Sequence, residues 1–376
     1  MVAFNMVWPM IEDLVEGAIE GQGTWLAYAV LVGGAIVLTY SVEKLISYLT
    51  RTAIGLGVSI FALALVLTGF EFDDTAVALV FGAGGLEGVA LGTALGTALA
   101  ITGIPLAVAA IVRPFPVDVP RDYLLLFVLS PFVLVPFVLA GTLTAVHGAL
   151  LVGMFFVLLG YIVVREVQRD VPVFRDSEIA ERIEADGGVP LERLSLADVD
   201  RATVLEEIPE DRFATEFRYE GFFWLGLSLL ALVGVVLGST LLEVGSEVIV
   251  ESWGIEETVF GATVLTLFLT FENLLLTIEP VRRGVPEIGI GHVIGSVIFS
   301  VTANVGVIAF VADVTIPRAV LAFHLPAVIV LTAVAAYAIS TGRVRRRHGY
   351  VLAGLYVAYW LLALLVFGGV PIPGPL

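Results

Sequence analysis

The chain of 376 residues is 59% hydrophobic and 15% charged, with a mean hydropathy of +1.01; this excludes a soluble globular domain, because apolar runs of about 20 residues need a bilayer. Cysteine is absent, which excludes disulfides, thiol catalysis and cysteine metal sites. A net charge of −17 with one lysine, Lys44, argues against nucleic acid or anionic lipid as partners and suits a salt-rich, halophilic cytoplasm.

Residues 1–23 carry Glu12, Asp13, Glu16 and Glu20 without a basic residue, so they lack the n-region of a signal peptide and read as a short extramembrane N-terminus. Ten hydrophobic segments follow, at about 24–50, 55–83, 88–112, 121–141, 144–165, 221–249, 255–280, 287–311, 319–341 and 349–369. The first, second, sixth and seventh are long for a hydrocarbon core of about 30 Å, which predicts tilted or interrupted helices. Between the fifth and sixth, residues 166–220 hold 16 of the 36 acids together with seven arginines, so the acidity is concentrated in one solvated loop. Arg51, Arg113, Arg121, Arg282, Arg283 and Arg343, Arg345, Arg346 and Arg347 all fall on the same side as that loop, and the opposite side has only Arg318. The positive-inside rule then makes the 166–220 loop cytoplasmic, both termini outside, and the protein a multi-pass component of the plasma membrane.

Five segments lie on each side of the loop, 24–165 and 221–376. An odd number reverses the second half in the membrane, so similarity between the halves means inverted-topology repeats. At a constant offset of 199, Asp73 falls opposite Glu272, Asp74 opposite Asn273, Gly85 opposite Gly284, Gly92 opposite Gly291, Gly96 opposite Gly295 and Thr97 opposite Ser296. The predicted fold is an all-α polytopic membrane protein of about ten transmembrane helices, arranged as two inverted five-helix repeats.

Acids sit inside two of these segments. Gly69-Phe70-Glu71-Phe72-Asp73-Asp74 interrupts the second, and Phe268-Leu269-Thr270-Phe271-Glu272-Asn273 the seventh. Ionisable groups at that depth cost roughly 2.5–3.5 kcal/mol each on insertion scales, and by default they mark an ion path. Glu71 and Asp74 share a helix face, as do Thr270 and Asn273, while Asp73 and Glu272 point about 100° away unless the helix is broken there. Carboxylate, hydroxyl and amide oxygens are what hard cations take. The competing reading is an acidic cluster near a membrane surface, or one held by structural hydrogen bonds. The G-x-x-x-G stretches at 92–96 and 291–295 read as close helix packing, which would bring Thr97, Ser296, Ser300, Thr302 and Asn304 up to the acids. His292 reads as a packed residue, and His147, His324 and His348 form no metal spacing. Glu243 and Glu247 read as interfacial or paired, Glu256 and Glu257 as facing the outer solution.

Three stretches resemble the sodium/calcium exchanger membrane family, in the cation/calcium antiporter superfamily. Gly238-Ser239-Thr240-Leu241-Leu242-Glu243-Val244-Gly245 is similar to its G-A-x-x-L-V-x-G approach, and Gly254-Ile255-Glu256-Glu257-Thr258-Val259-Phe260-Gly261 to its G-[IV]-S-E-x-V-I-G. Residues 283–299, with Gly291-His292-Val293-Ile294-Gly295-Ser296-Val297-Ile298-Phe299, follow its G-x-P-D-I-A-L-G-N-V-I-G-S-N-I-F. The first half carries the resemblance through its register with the second. The departures touch the ligands: Asp74 and Asn273 stand where the family has a glutamate, Asp73 and Glu272 where it has proline, and Ile101 and Ser300 where it has Asn or Asp.

The resemblance implies a secondary antiporter, not an enzyme, that moves Na⁺ and Ca²⁺ by alternating access without a cofactor. Glu71, Asp74 and Glu272 would carry the charge, with Asp73, Thr270, Asn273, Thr97, Ser296 and Ser300 completing the shell. Protonatable Glu71, Asp73 and Glu272 keep cation/proton exchange open. A degenerate, non-transporting scaffold or sensor of the same fold is the rival from another class, favoured by Ile101 and the lost prolines. An intramembrane aspartyl hydrolase is disfavoured, since it needs one aspartate on each of two facing spans and Asp73 and Asp74 are adjacent. The partners implied are inorganic cations and the lipid bilayer.

Overall fold

A computed structural model describes residues 24–55, 71–167, 220–283 and 286–367. The N-terminal 1–23 and nearly all of the 166–220 loop lie outside the described residues, as does the side chain of Glu272. In the first half, α1 (Thr24–Gly55) is followed by α2 (Phe72–Ala83), α3 (Glu87–Gly103), α4 (Pro105–Val112), β1 (Phe115–Pro116), α5 (Arg121–Leu139), β2 (Thr142–Leu143) and α6 (Ala145–Val167). In the second, α7 (Glu220–Trp253) is followed by α8 (Glu257–Phe260), which runs through a π turn at Gly261–Leu265 into α9 (Thr266–Arg283). Next come α10 (Pro286–Phe299), a π turn at Ser300–Asn304, and α11 (Val305–Val311). The half closes with β3 (Val314–Thr315), α12 (Leu325–Ser340), β4 (Arg343–Val344) and α13 (Arg346–Leu362). The expected all-α membrane fold is what forms. Eight helices among the described residues are long and apolar enough to span a bilayer, and the bent Glu257–Arg282 pair makes up to nine. The segment predicted at 55–83 runs over the undescribed residues 56–70.

The internal repeat is visible in the element boundaries. The α3–α4 unit spans 87–112 and the α10–α11 unit 286–311, so both ends differ by the same 199 residues as the sequence register. The two halves are tied by swapped ladders. In one, Phe115 pairs with Val344 and Pro116 with Arg343; in the other, Thr142 pairs with Thr315 and Leu143 with Val314. Each repeat therefore lends one short strand to the other at each face. Gly141 and Gly342, at φ 80° and 71°, make the equivalent turns into β2 and β4, in a region where an L side chain is strained.

The ladders also sort the loops by face. The β1–β4 ladder joins the Arg113–Arg121 connection to the Arg343–Arg347 connection. Arg113 donates to the carbonyl oxygen of Arg282, and Arg165 at the end of α6 pairs with Asp122 at the start of α5 at 3.0 Å. These arginines share one face, and the β2–β3 ladder with Arg318 lies on the other.

The long helices α1 and α7, about 48 and 51 Å at 1.5 Å per residue, are longer than a hydrocarbon core of about 30 Å. They run antiparallel in close contact because small residues face each other. An added Cβ on Gly34 would meet the Leu242 nitrogen at 2.7 Å, one on Gly238 the Leu38 nitrogen at 2.5 Å, and one on Gly245 the Leu31 nitrogen at 2.9 Å. The outer surfaces carry Leu150, Val157, Leu230 and Phe271, each more than half exposed, as a lipid-facing surface requires. The buried centre belongs to α3 and the α10–α11 unit, in which most of Gly289–Val311 is buried.

Candidate cation site

The site forms where α2 begins. Glu71 has extended backbone, φ −89° and ψ 100°, so the helix starts only at Phe72. Thr75 fixes that start, with its backbone N–H donating to the Glu71 carbonyl at 2.9 Å and its hydroxyl at 2.8 Å. Asp73 and Asp74 occupy the first turn, where the positive end of the helix dipole favours anions. The Glu71 side chain does not cap its own helix. It crosses to the other repeat and accepts a hydrogen bond from the Ser296 hydroxyl on α10.

Asp74 is 3% exposed. Its Oδ2 receives the Asn304 amide Nδ2 at 3.4 Å, its carboxyl is also held by the Thr97 hydroxyl of α3, and it touches Glu71. The Ser300–Asn304 π turn makes this possible. In α geometry four residues overshoot one turn by about 40°, so Asn304 would drift off the face that carries Ser296 and Ser300. A π turn holds more residues per turn and keeps it there. Thr97 arrives by a different route: α3 lies backbone to backbone on α8 and the π turn after it. A Cβ on Gly92 would come within 2.2 Å of the Thr258 oxygen, and one on Gly96 within 2.2 Å of the Thr266 hydroxyl.

Three oxygens in this cluster are buried without a hydrogen-bond partner among the described residues: Glu71 Oε2, Ser300 Oγ and Asn304 Oδ1. Leaving such groups unmade costs about 1–3 kcal/mol each, and a hard cation satisfies them. No three His, Asp or Glu side chains converge on one metal-sized point among the described residues. The centre is therefore two touching carboxyls with neutral oxygens around them, and Asp73 half-buried beside them.

The second acidic segment is built differently. The span Glu257–Arg282 bends by 61° between Phe271 and Asn273, at Glu272, with no proline at that point. Thr270, although 4% exposed, returns its hydroxyl to the Thr266 carbonyl at 2.7 Å. Asn273 Oδ1 sits 2.9 Å from His292 Nε2. The described contacts thus join Glu71, Asp74, Thr97 and Ser296, with Ser300 one turn beyond Ser296 on the same helix. Thr270 and Asn273 are engaged elsewhere. Asn304, expected near the acids but left out of the ligand set, completes these contacts through Asp74, and His292, read as a packed residue, is the partner of Asn273 instead. The internal repeat gave no signal for either, because their counterparts 199 residues earlier are Pro105 and Thr93.

The profile of the sodium/calcium exchanger protein family matches residues 26–164 and 223–365, one copy on each half. The chain belongs to that family. It is 27% identical to the inner membrane protein YrbG of Escherichia coli strain K12 over 291 residues, 76% of this chain and 80% of YrbG. The sodium/calcium exchanger MaX1 of Methanosarcina acetivorans is 28% identical over 152 residues, 40% of this chain and 43% of MaX1. The solved sodium-calcium exchanger NCX_Mj shares the fold, with a TM-score of 0.53 at 18% identity over 91% of this chain and 100% of that one. The chain is thus a multi-pass membrane protein of a cation antiporter family.

Proposed function

We propose that the chain is a secondary cation antiporter that exchanges Na⁺ and Ca²⁺ by alternating access, at a midplane site between its two repeats. The observation that carries this reading is the pair of contacts across the repeat interface, Glu71 to Ser296 and Asp74 to Asn304. Any relative motion of the halves opens or closes a site held by both, which is what alternating access requires. Two carboxylates match one divalent ion or two monovalent ions, the stoichiometric condition for exchange at one place. Glu71 and Asp74 carry the charge; Thr97, Ser296 and Ser300 supply neutral oxygens, Asp73 and Glu272 bias the local potential, and Thr270 and Asn273 shape the bent span. Residues 1–23 are an extramembrane segment, 24–165 and 221–376 the two repeats, and 166–220 a cytoplasmic loop. The arginine face is cytoplasmic in the plasma membrane, and both termini are outside. Neither a cofactor nor a catalytic reaction enters this scheme.

Cation/proton exchange is the second reading. It is favoured by the direct contact of Glu71 with Asp74, since two carboxyls in contact need a shared proton or a cation between them. The deciding experiment is radioactive Ca²⁺ uptake into proteoliposomes loaded with Na⁺, with and without a pH gradient. Uptake that needs the Na⁺ gradient supports the first reading. Uptake that follows only the pH gradient moves the assignment to the second, and no uptake by folded protein under either condition refutes both for Ca²⁺.

A further inference from the structure

Asn304 has two polar arms, and the contacts described above use only one of them. The side chain is 1% exposed. Its Nδ2 donates to Asp74 Oδ2 at 3.4 Å, while its Oδ1 has no hydrogen-bond partner among the described residues. The orientation follows from chemistry: an ionised carboxylate only accepts, so the amide turns its nitrogen to Asp74 and the oxygen is the arm left over. Both arms hang from one carbon, so this oxygen lies beside the carboxyl that the nitrogen holds.

Ser300, at the other end of the same π turn, is 0% exposed, and its Oγ is likewise without a partner among the described residues. Hydroxyls in helices ordinarily bond back to the preceding turn, as those of Thr93 and Thr102 on α3 do. Within the π turn itself, Thr302 returns its hydroxyl to the Ile298 carbonyl. Two neutral oxygens of the second repeat and Glu71 Oε2 of the first are thus left open in the one cluster where two carboxyls touch. An asparagine that served only to hold Asp74 would leave a buried carbonyl oxygen idle; one that also binds a cation uses both arms at once.

Charge supplies the second half of the argument. Glu71 and Asp74 bring two negative charges into contact, and Asn304, which meets Asp74 from the second repeat, has the shape of an aspartate without its charge. A third carboxylate at that point would attract a divalent ion twice as strongly as a monovalent one, because Coulomb energy scales with the charge of the ion. Burial of both side chains leaves little to screen that difference. A neutral group at 304 therefore keeps one Ca²⁺ and two Na⁺ as matched rivals for the site.

We propose that Asn304 is a ligand of the transported cation through Oδ1 and the residue that sets the charge selectivity of the site, by holding it at two negative charges. The identity of the competing ions rests on the exchange reading; the ligand role of the amide oxygen does not.

The test is equilibrium binding of ⁴⁵Ca²⁺ to the purified full chain, with Na⁺ as competitor, for wild type, Asn304→Asp and Asn304→Leu. Binding is measured at pH 7 and pH 9, so that the added carboxyl is read in its ionised form, and thermal midpoints are recorded. Asn304→Asp should raise the Na⁺ concentration that displaces half of the bound Ca²⁺ about tenfold or more. Asn304→Leu, of similar size but without polar arms, should weaken Ca²⁺ binding about tenfold. The two variants decide independently, so one that folds is enough. The proposal is overturned if folded Asn304→Asp stays within twofold of wild type in Na⁺ displacement at both pH values, or if folded Asn304→Leu keeps the wild-type Ca²⁺ affinity. A purely structural role would shift the thermal midpoint and leave the displacement ratio where it was. Wild type that binds neither ion refutes the exchange reading and this inference together. Displacement that changes as expected while proteoliposomes show no flux keeps the ligand assignment and removes the exchange reading.

Discussion

Replacing Glu71 by Gln keeps the shape of the side chain and an oxygen to accept from Ser296, and removes only the charge. Hydrogen bonds and ion contacts of charged groups are worth about 1.5–3 kcal/mol against about 0.5–1.5 for neutral ones. At 1.4 kcal/mol per factor of ten, Glu71→Gln should weaken the apparent affinity for the transported cation about 10- to 100-fold. Ser296→Ala, which removes the neutral half of the same contact, should weaken it about 2- to 10-fold. The assay is the cation concentration at half-maximal uptake in proteoliposomes, with protein amount and thermal midpoint matched among variants. Glu71→Gln within twofold of wild type, or no weaker than Ser296→Ala, would refute the assignment of Glu71 as a charge-bearing ligand.

Gly92→Ala puts a Cβ 2.2 Å from the Thr258 carbonyl oxygen, a clash with backbone, and should lower stability by about 1–3 kcal/mol; Gly33→Ala, with nothing within 4 Å, should be neutral or stabilising in a thermal-shift comparison. Thr142 and Thr315 face each other in the β2–β3 ladder, at Cα spacings within disulfide reach. In this cysteine-free chain, Thr142→Cys with Thr315→Cys should crosslink under mild oxidation, read as a gel shift, whereas Thr142→Cys with Arg343→Cys should not. A membrane-impermeant maleimide should label Thr315→Cys on intact cells and Arg343→Cys only after permeabilisation; the reverse pattern would invert the proposed orientation.

What the sequence conveyed was what depends on transfer energy and spacing. Apolar runs exposed to water carry a cost that a bilayer removes, and eight of them, nine with the bent pair, form span-length helices among the described residues; the 199-residue register reappears in the ends of α3–α4 and α10–α11. The glycines at 92 and 96 read as packing residues and do pack, against Thr258 and Ala262. The swapped ladders were not legible, because two-residue strands carry no periodicity. Asn304 was expected up against the acids and does meet Asp74, but the π turn at Ser300–Asn304 that holds it there was not legible, because helical spacing assumes α geometry. Thr270 and Asn273 share a face as the spacing predicts, yet their oxygens are engaged by Thr266 and His292. The Thr270 hydroxyl bonds back to the preceding turn of its own helix, and only the Asn273 amide takes its partner from another helix. Glu243 read as interfacial or paired, and its burial against Gly84 depends on how α7 packs on α2.

The central claim is that the buried Asp74, held by Asn304 and Thr97 between the two repeats, carries the transported cation. The most direct measurement is gradient-driven cation flux by Asp74→Asn in proteoliposomes, using protein whose size-exclusion profile and thermal midpoint match wild type. The account predicts flux indistinguishable from protein-free vesicles. Flux at the wild-type rate from such a folded variant would contradict it, and would leave the Glu71–Asp74 contact a structural feature of the bundle.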